Sequence, residues 1–311
     1  MTGLKIFLFG KFSVQFGQEP LLGLDSAKAQ ELLCYLLLYR DRPHARESLA
    51  SLLWDSCPTA QSKRYLRKTL WNLQSVLSSQ VLSPNTCLLR VEPDWIQINP
   101  EAGLWVDVGA FEQAFDLTSR MPGRQLDLRG AELLCNALEL YQGDLLEGWY
   151  QDWCLYERER FLYMYLTMLD KVISFCEANG KYEAGLAYSA RILRYDRARE
   201  RTHRQMMRLH YLAGDRTAAL RQYERCVVAL EEELGVRPAR STTALYGQIR
   251  ADRLGWPSPA EGLTSAQATA SPDVPACLDK LQLALRELQR QVQQAIEVID
   301  RSIMDGQAEP P

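Results

Sequence analysis

Between Thr59 and Ser79 the chain carries Lys63, Arg64, Arg67 and Lys68 and not one carboxylate. Clustered cations of this kind bind phosphate oxygens, and Arg or Gln beside them reads base edges. The spacing decides whether they share a surface. At about 100° per helical residue, Leu66, Leu70, Leu73 and Leu77 fall on one narrow face. Gln61, Arg64, Lys68, Trp71 and Ser75 gather opposite, with Arg67 at the flank. One side anchors to a core and the other projects basic and amide groups, as a helix lying in the DNA major groove requires. The candidate DNA-contacting residues are therefore Gln61, Lys63, Arg64, Arg67, Lys68, Trp71 and Ser75. Trp71 is unusual on an outer face; it is placed either to stack on a sugar or to pack under a neighbouring hairpin. Against this stands the plain reading of a solvated helix that happens to be basic.

The elements around that helix favour the first reading. Residues 4–9 and 11–16 alternate apolar and polar about Gly10 and predict a hairpin. Residues 26–39 predict a helix with Ser26 as N-cap and an apolar stripe of Ala29, Leu32, Leu33, Leu36 and Leu37. Pro43 ends it, and 46–54 predicts a second, shorter helix. The basic helix follows from 59 to 79, and then strands at 87–91 and 95–98 about the turn Glu92-Pro93-Asp94. The order is hairpin, three helices, hairpin: a winged helix-turn-helix. Glu19, Asp25, Glu31, Asp41, Glu47 and Asp55 keep the rest of this half nearly neutral, which focuses positive charge on the third helix.

From 106 onward the pattern is helical almost throughout, with helices expected at 108–117, 131–141, 153–177, 182–194, 199–213, 216–234 and 242–250. The run from Gly180 to Leu186 aligns with the run from Gly214 to Leu220 at a spacing of 34, the tetratricopeptide period. Gly180 and Gly214 open the turns. Ala184, Ala218, Gly185 and Ala219 are small where paired helices approach, and Leu186 and Leu220 supply core. Such repeats stack into surfaces that bind proteins. Residues 256–275 are rich in Pro, Ser, Ala and Thr and read as a flexible linker. Beyond them Leu278, Leu281, Leu285, Leu288, Val292, Ala295 and Ile299 keep a coiled-coil spacing. That last helix either pairs with a second chain, giving a homodimer or higher homo-oligomer through 276–305, or folds back on the repeats.

Other function classes find little material. The chain of 311 residues is 47% hydrophobic and 24% charged, with a net charge of −3, so globular but not broadly basic. A DNA-binding claim must rest on local charge. The scattered cysteines contain no C-x-x-C pair, and only His44, His203 and His210 are present, so a metal or His-based catalytic centre is poorly supplied. No phosphate-binding glycine loop or G-x-S-x-G motif occurs. Glu157 and Glu159 are expected on a solvated helix face. No apolar run approaches the ~20 residues that span a bilayer, and no secretory leader is evident. A cytoplasmic, non-enzymatic protein with no cofactor and no membrane partner is expected.

Particular runs carry a resemblance. They include Lys28-Ala29-Gln30-Glu31-Leu32-Leu33, the run Glu47 to Trp54, and Leu66-Arg67-Lys68-Thr69-Leu70-Trp71-Asn72-Leu73. Further along come Val106-Asp107-Val108 with Phe111, Tyr141-Gln142-Gly143-Asp144-Leu145-Leu146, Glu157-Arg158, and Glu233-Leu234-Gly235-Val236-Arg237-Pro238. Over 4–250 the chain resembles the Streptomyces antibiotic regulatory protein family of bacterial activators, which join an OmpR-like winged helix to a bacterial transcriptional activator domain. The resemblance implies binding to repeated promoter sites and contact with RNA polymerase. Asn72 and Gln74 flank Leu73 where the family often has arginines, and the helix at 276–305 lies outside the match. Gly143 is expected to end a helix and Asp144 to cap the next one.

The expected architecture is mainly α: a winged helix-turn-helix (α+β) at 1–105, an all-α tetratricopeptide-like domain at 106–252, a linker at 253–275 and a heptad-patterned helix at 276–305. The expected function is sequence-specific regulation of transcription on double-stranded DNA. The alternative is a protein-interaction adaptor of the tetratricopeptide type.

Overall fold

The computed structural model describes residues 4–17, 19–80 and 87–254. Nearly all of the linker and the whole heptad segment lie outside the described residues.

The first hairpin pairs β1 (Leu4–Phe7) antiparallel with β2 (Ser13–Phe16), Ile6 opposite Val14. Its side chains alternate as a half-buried strand requires: Leu4 and Ile6 inward, Lys5 outward. Two short strands complete the sheet. β3 (Glu19–Pro20) lies beside β2, and β7 (Trp105–Val106) runs parallel to β1 on its other side.

Three helices follow: α1 (Ala27–Leu38), α2 (Arg46–Leu53) and α3 (Thr59–Gln80). Ser26 holds the N-cap position of α1, but only its carbonyl works there, accepting from the Ala29 and Gln30 amides; its hydroxyl makes no capping bond. The second sheet has the order β4-β6-β5, from β4 (His44–Ala45), β5 (Leu89–Val91) and β6 (Trp95–Ile98).

Beyond β7 come α4 (Asp107–Thr118), a 3-10 turn at Gly123–Gln125, α5 (Leu128–Leu140), α6 (Asp152–Ala178), α7 (Tyr182–Tyr195), α8 (Glu200–Leu212), α9 (Arg216–Leu234) and α10 (Arg240–Arg250). The chain is mainly helical with small N-terminal sheets. The repeat is visible in the backbone: Gly180 and Gly214 both take positive φ, +70° and +85°, directly before α7 and α9. A methyl group on Gly185 would lie 3.1 Å from Leu209 Cδ1 and 3.3 Å from Cys176 Cβ, so only a small residue lets α7 approach both neighbours. Ala219 is likewise buried, whereas Ala184, expected at the close approach, faces solvent.

One apolar core runs without a break from the first hairpin through α1 and α3 into α4, α5 and α6. Its centre is aromatic. The Phe9 ring meets Phe111, Tyr141 and Phe161 at centroid distances of 5.0, 4.8 and 5.4 Å. Polar groups fix the same seam. Asp107 Oδ2 accepts the buried amides of Leu8 and Phe9 at 2.8 and 2.9 Å, while Oδ1 accepts that of Val108. Burial pushes the Asp107 carboxyl up to about 6, although the three amides pull the other way.

The Tyr-Gln-Gly-Asp run docks on the segment Leu8–Gly10 that follows β1. The Gly10 amide donates to Asp144 O, the Leu146 amide to Leu8 O and the Glu147 amide to Gly10 O, all at 2.8–2.9 Å. A Cβ on Gly143 would sit 3.2 Å from Gly10 Cα and closer still to the Glu147 carboxylate, which accounts for the glycine. Gly143 lies beyond the end of α5 at Leu140, and Asp144 does not cap α6; its carboxylate accepts from the Tyr141 hydroxyl at 3.2 Å. Arg158 holds the loop by donating to the carbonyls of Leu145, Leu146 and Trp149, each at 3.0 Å.

Glu157 does not face solvent as expected: it is 3% exposed and accepts from Arg160 Nε at 2.6 Å. Arg160 also reaches Glu112, which Arg40 at the end of α1 meets from the other side, both at 2.6 Å. Burial and the neighbouring Glu157 carboxylate push the Tyr39 hydroxyl up. Glu159, expected on the same solvated face, is exposed.

Candidate nucleic-acid interface

α3 owes its position to its leucines. Leu66, Leu70, Leu73 and Leu77 are all buried in the core, as their spacing requires, and Ser62 and Thr69 widen the buried stripe. Its first turn starts after Pro58, whose carbonyl accepts the Gln61 and Ser62 amides. Proline suits a helix start because the missing amide would find no partner there.

On the opposite side Gln61, Arg64, Arg67, Lys68, Trp71 and Ser75 are exposed, six of the seven candidate residues together on one surface. Arg64 and Lys68 have no ion pair among the described residues. Arg67 Nε turns back toward the Lys63 carbonyl at 3.4 Å, leaving its guanidinium outside. Gln61 donates to the Tyr65 hydroxyl at 2.6 Å, and the Tyr65 ring leans on Trp54 of the preceding turn. Trp71 is 70% exposed, so it does not pack under the second hairpin.

Lys63 stands apart. It is half-buried and paired with Glu47 at the start of α2. The ammonium holds the Glu47 carboxyl below its usual range. Glu47 therefore belongs to the surface, and sequence spacing could not reveal it: sixteen residues and a turn separate the two. The second hairpin closes one edge of this surface. A cleft there is lined by Glu47, Lys63, Arg67, Pro93 and Asp94. Arg46 ties the hairpin turn to α2, its amide donating to Asp94 O and its guanidinium to Glu92 O. The turn is acidic and Arg90 is paired with Glu101 at 3.4 Å, so the cations of this surface come from α3 and not from the hairpin.

Elsewhere, one histidine and four thiols are enclosed. His203 is buried between Arg197 O and Gln222 Nε2, each at 2.8 Å. Burial pushes the Cys34, Cys154, Cys176 and Cys226 thiols up, the last to about 11, which suppresses thiolate formation. Among the described residues no group of His, Cys, Asp and Glu is arranged to hold a metal, and no helix is long and apolar enough to cross a membrane.

Residues 106–250 match the family model of the bacterial transcriptional activator domain. The transcriptional regulatory protein MoaR1 of Mycobacterium tuberculosis is 25% identical over 233 residues, covering 73% of each chain. The transcriptional regulatory protein EmbR of the same organism is 24% identical over 254 residues, covering 78% of this chain and 61% of EmbR. The solved structure of EmbR in complex with a low affinity phosphopeptide shares the fold, with a TM-score of 0.63 at 20% identity, over 80% of this chain and 65% of that one. Both relatives are transcriptional regulators, which favours regulation over a pure adaptor role. The chain thus joins an N-terminal winged-helix unit to a helical domain that matches the bacterial transcriptional activator domain, and it is similar to the mycobacterial transcriptional regulators MoaR1 and EmbR.

Proposed function

We propose that the chain is a cytoplasmic, non-catalytic activator that reads double-stranded promoter DNA with the outer face of α3 and contacts RNA polymerase. The observation that carries this reading is the exposed row of Arg64, Arg67, Lys68 and Trp71 on a helix whose other side is locked into the core. Guanidinium groups without intramolecular ion pairs are available to phosphates and to guanine edges. Gln61 and Ser75, at the two ends of the row, are the neutral contacts. Lys63 contributes less, because Glu47 already cancels its charge. Winged-helix units reading repeated sites act side by side, and the 276–305 segment, with its heptad spacing, is the proposed means of self-association.

A salt titration of binding to genomic promoter fragments tests the reading. The full chain bearing Arg64→Ala and Arg67→Ala should lose specific binding at moderate salt. Its plot of log affinity against log salt should flatten by about two units, one for each phosphate no longer neutralised. Unchanged affinity and slope, with an unchanged melting curve, would remove α3 as the reading element.

A further inference from the structure

Over its first turns α6 sorts its charges by side. Both cations point inward: Arg158 grips the loop carbonyls of 145–149, and Arg160 is held by Glu112 and Glu157. Two carboxylates, Asp152 and Glu159, stay outside, with no ion pair among the described residues. Tyr156 and Tyr163 alternate with them at spacings of four, three and four, which places all four on one helix face. The tyrosines are 70% and 67% exposed, and Leu155 beside them is also exposed. Tyr150, 77% exposed, stands just ahead of the helix.

The inner tyrosine of the same helix sets the contrast. Tyr165 stacks on Tyr141 at 4.1 Å and accepts from Arg191 at 2.9 Å. The rings and hydroxyls of Tyr156 and Tyr163 have no partner among the described residues. Exposed aromatic rings in a row are what a protein interface uses as anchors, because they bury large area at small entropic cost. A stripe that alternates rings with unpaired carboxylates is complementary to a basic, apolar segment.

This chemistry narrows the occupant. The chain's own 276–305 segment carries at least as many carboxylates as cations and does not complement an acidic stripe. The α3 cations of a second copy are committed to DNA in the proposed reading, and docking through its other arginines would show as a change in the mass of the chain. We propose that the outer stripe of α6 docks a basic segment of RNA polymerase while α3 holds the promoter. This inference rests on the proposed function and assigns the polymerase contact to a surface.

The test uses the full chain, a promoter fragment that it binds, and purified RNA polymerase holoenzyme. Three quantities are read: affinity for the fragment, affinity of holoenzyme for the preformed complex, and the mass of the chain in solution. The variants are Tyr156→Ser with Tyr163→Ser, Glu159→Lys, and Tyr156→Phe with Tyr163→Phe. The serine pair should leave DNA affinity and mass unchanged and weaken holoenzyme recruitment about thirtyfold, the loss expected for two central aromatic anchors. Glu159→Lys should weaken recruitment in the same direction, and the phenylalanine pair should restore most of it. Unchanged recruitment in both the serine and lysine variants overturns the proposal. A fall in mass with the serine pair also overturns it, since the stripe then covers a second copy. Tight promoter binding with no recruitment by the unsubstituted chain overturns the docking proposal while leaving the DNA reading intact. Absence of promoter binding overturns the function itself.

Discussion

The junction between the winged-helix unit and α4–α6 is built differently from the far end of the helical array. At the junction one core serves both sides, with Phe9 enclosed by aromatic rings and Asp107 bonded to three buried amides. At the far end α8, α9 and α10 share two small clusters, one around Met207, Ala219, Leu245 and Ile249 and one around Ala198, Cys226 and Leu230. Polar bonds carry much of the rest, including Gln222 to His203 and Arg204 to Thr242. The difference teaches that α3 is not carried on a tether. Its leucines and the α6 rings belong to one apolar mass, so the outer face of α3, the proposed reading face, holds a fixed attitude to the activator domain, while α9 and α10 form a layer with clusters of their own.

The largest expected effect breaks the junction. Phe111→Ala removes a fully buried ring from the shared core and should cost about 3–5 kcal/mol, lowering the winged-helix and activator signals in a single urea transition. Ile249→Ala, at the far end, should cost about 2–4 kcal/mol locally, fraying α10 and leaving DNA affinity unchanged. If Phe111→Ala melts the two halves separately, the junction is an interface between independent bodies.

Asp107→Ala should come next, at about 3 kcal/mol, because it strands buried backbone donors. Its neutral relative Asp107→Asn gives a pH signature. The folded carboxyl titrates near 6 and the unfolded one near the ordinary 3.8, so between these values the folded chain binds the extra proton. The penalty of the buried charge is complete above about pH 6 and fades as the pH falls toward 4. Chemical denaturation at pH 7 and pH 4.5 should therefore show the unsubstituted chain gaining stability relative to Asp107→Asn at the lower pH. A gap that is constant or moves the other way contradicts a buried, ionised Asp107.

The smallest effect lies on the outer surface of α3, the proposed reading surface. Glu47→Gln frees Lys63, and the salt dependence of DNA binding should steepen by about one unit. Lys63→Gln should change it little. A full unit of slope removed by Lys63→Gln alone would show that the lysine already reaches a phosphate in the complex.

What could be read from sequence divides along the same line. Periodicity located the leucine stripe of α3, both hairpins and the helices of the array, because each is a local pattern. It missed β3, β4 and β7, which are two residues long and too short to alternate. The row of exposed residues on α3 was legible from helical geometry, but the Glu47 contact that quiets Lys63 was not. Glu157 was misread for a related reason. In a charge-rich stretch a carboxylate looks solvated, and only the Arg160 guanidinium, one turn further along α6, makes its burial tolerable. The distinctive Tyr-Gln-Gly-Asp run was visible, but its partner, the segment Leu8–Gly10 that follows β1, lies far back in the chain.

That last separation has a consequence for synthesis. The amides of Leu8 and Phe9 wait for Asp107, which follows Leu8 by 99 residues, and Gly10 waits longer for the 144–147 loop. At about 5–20 residues per second the interval before Asp107 arrives is roughly 5–20 s. For that time the nascent chain presents an open apolar segment, and a stretch made before the helical array closes only after much of that array has been made.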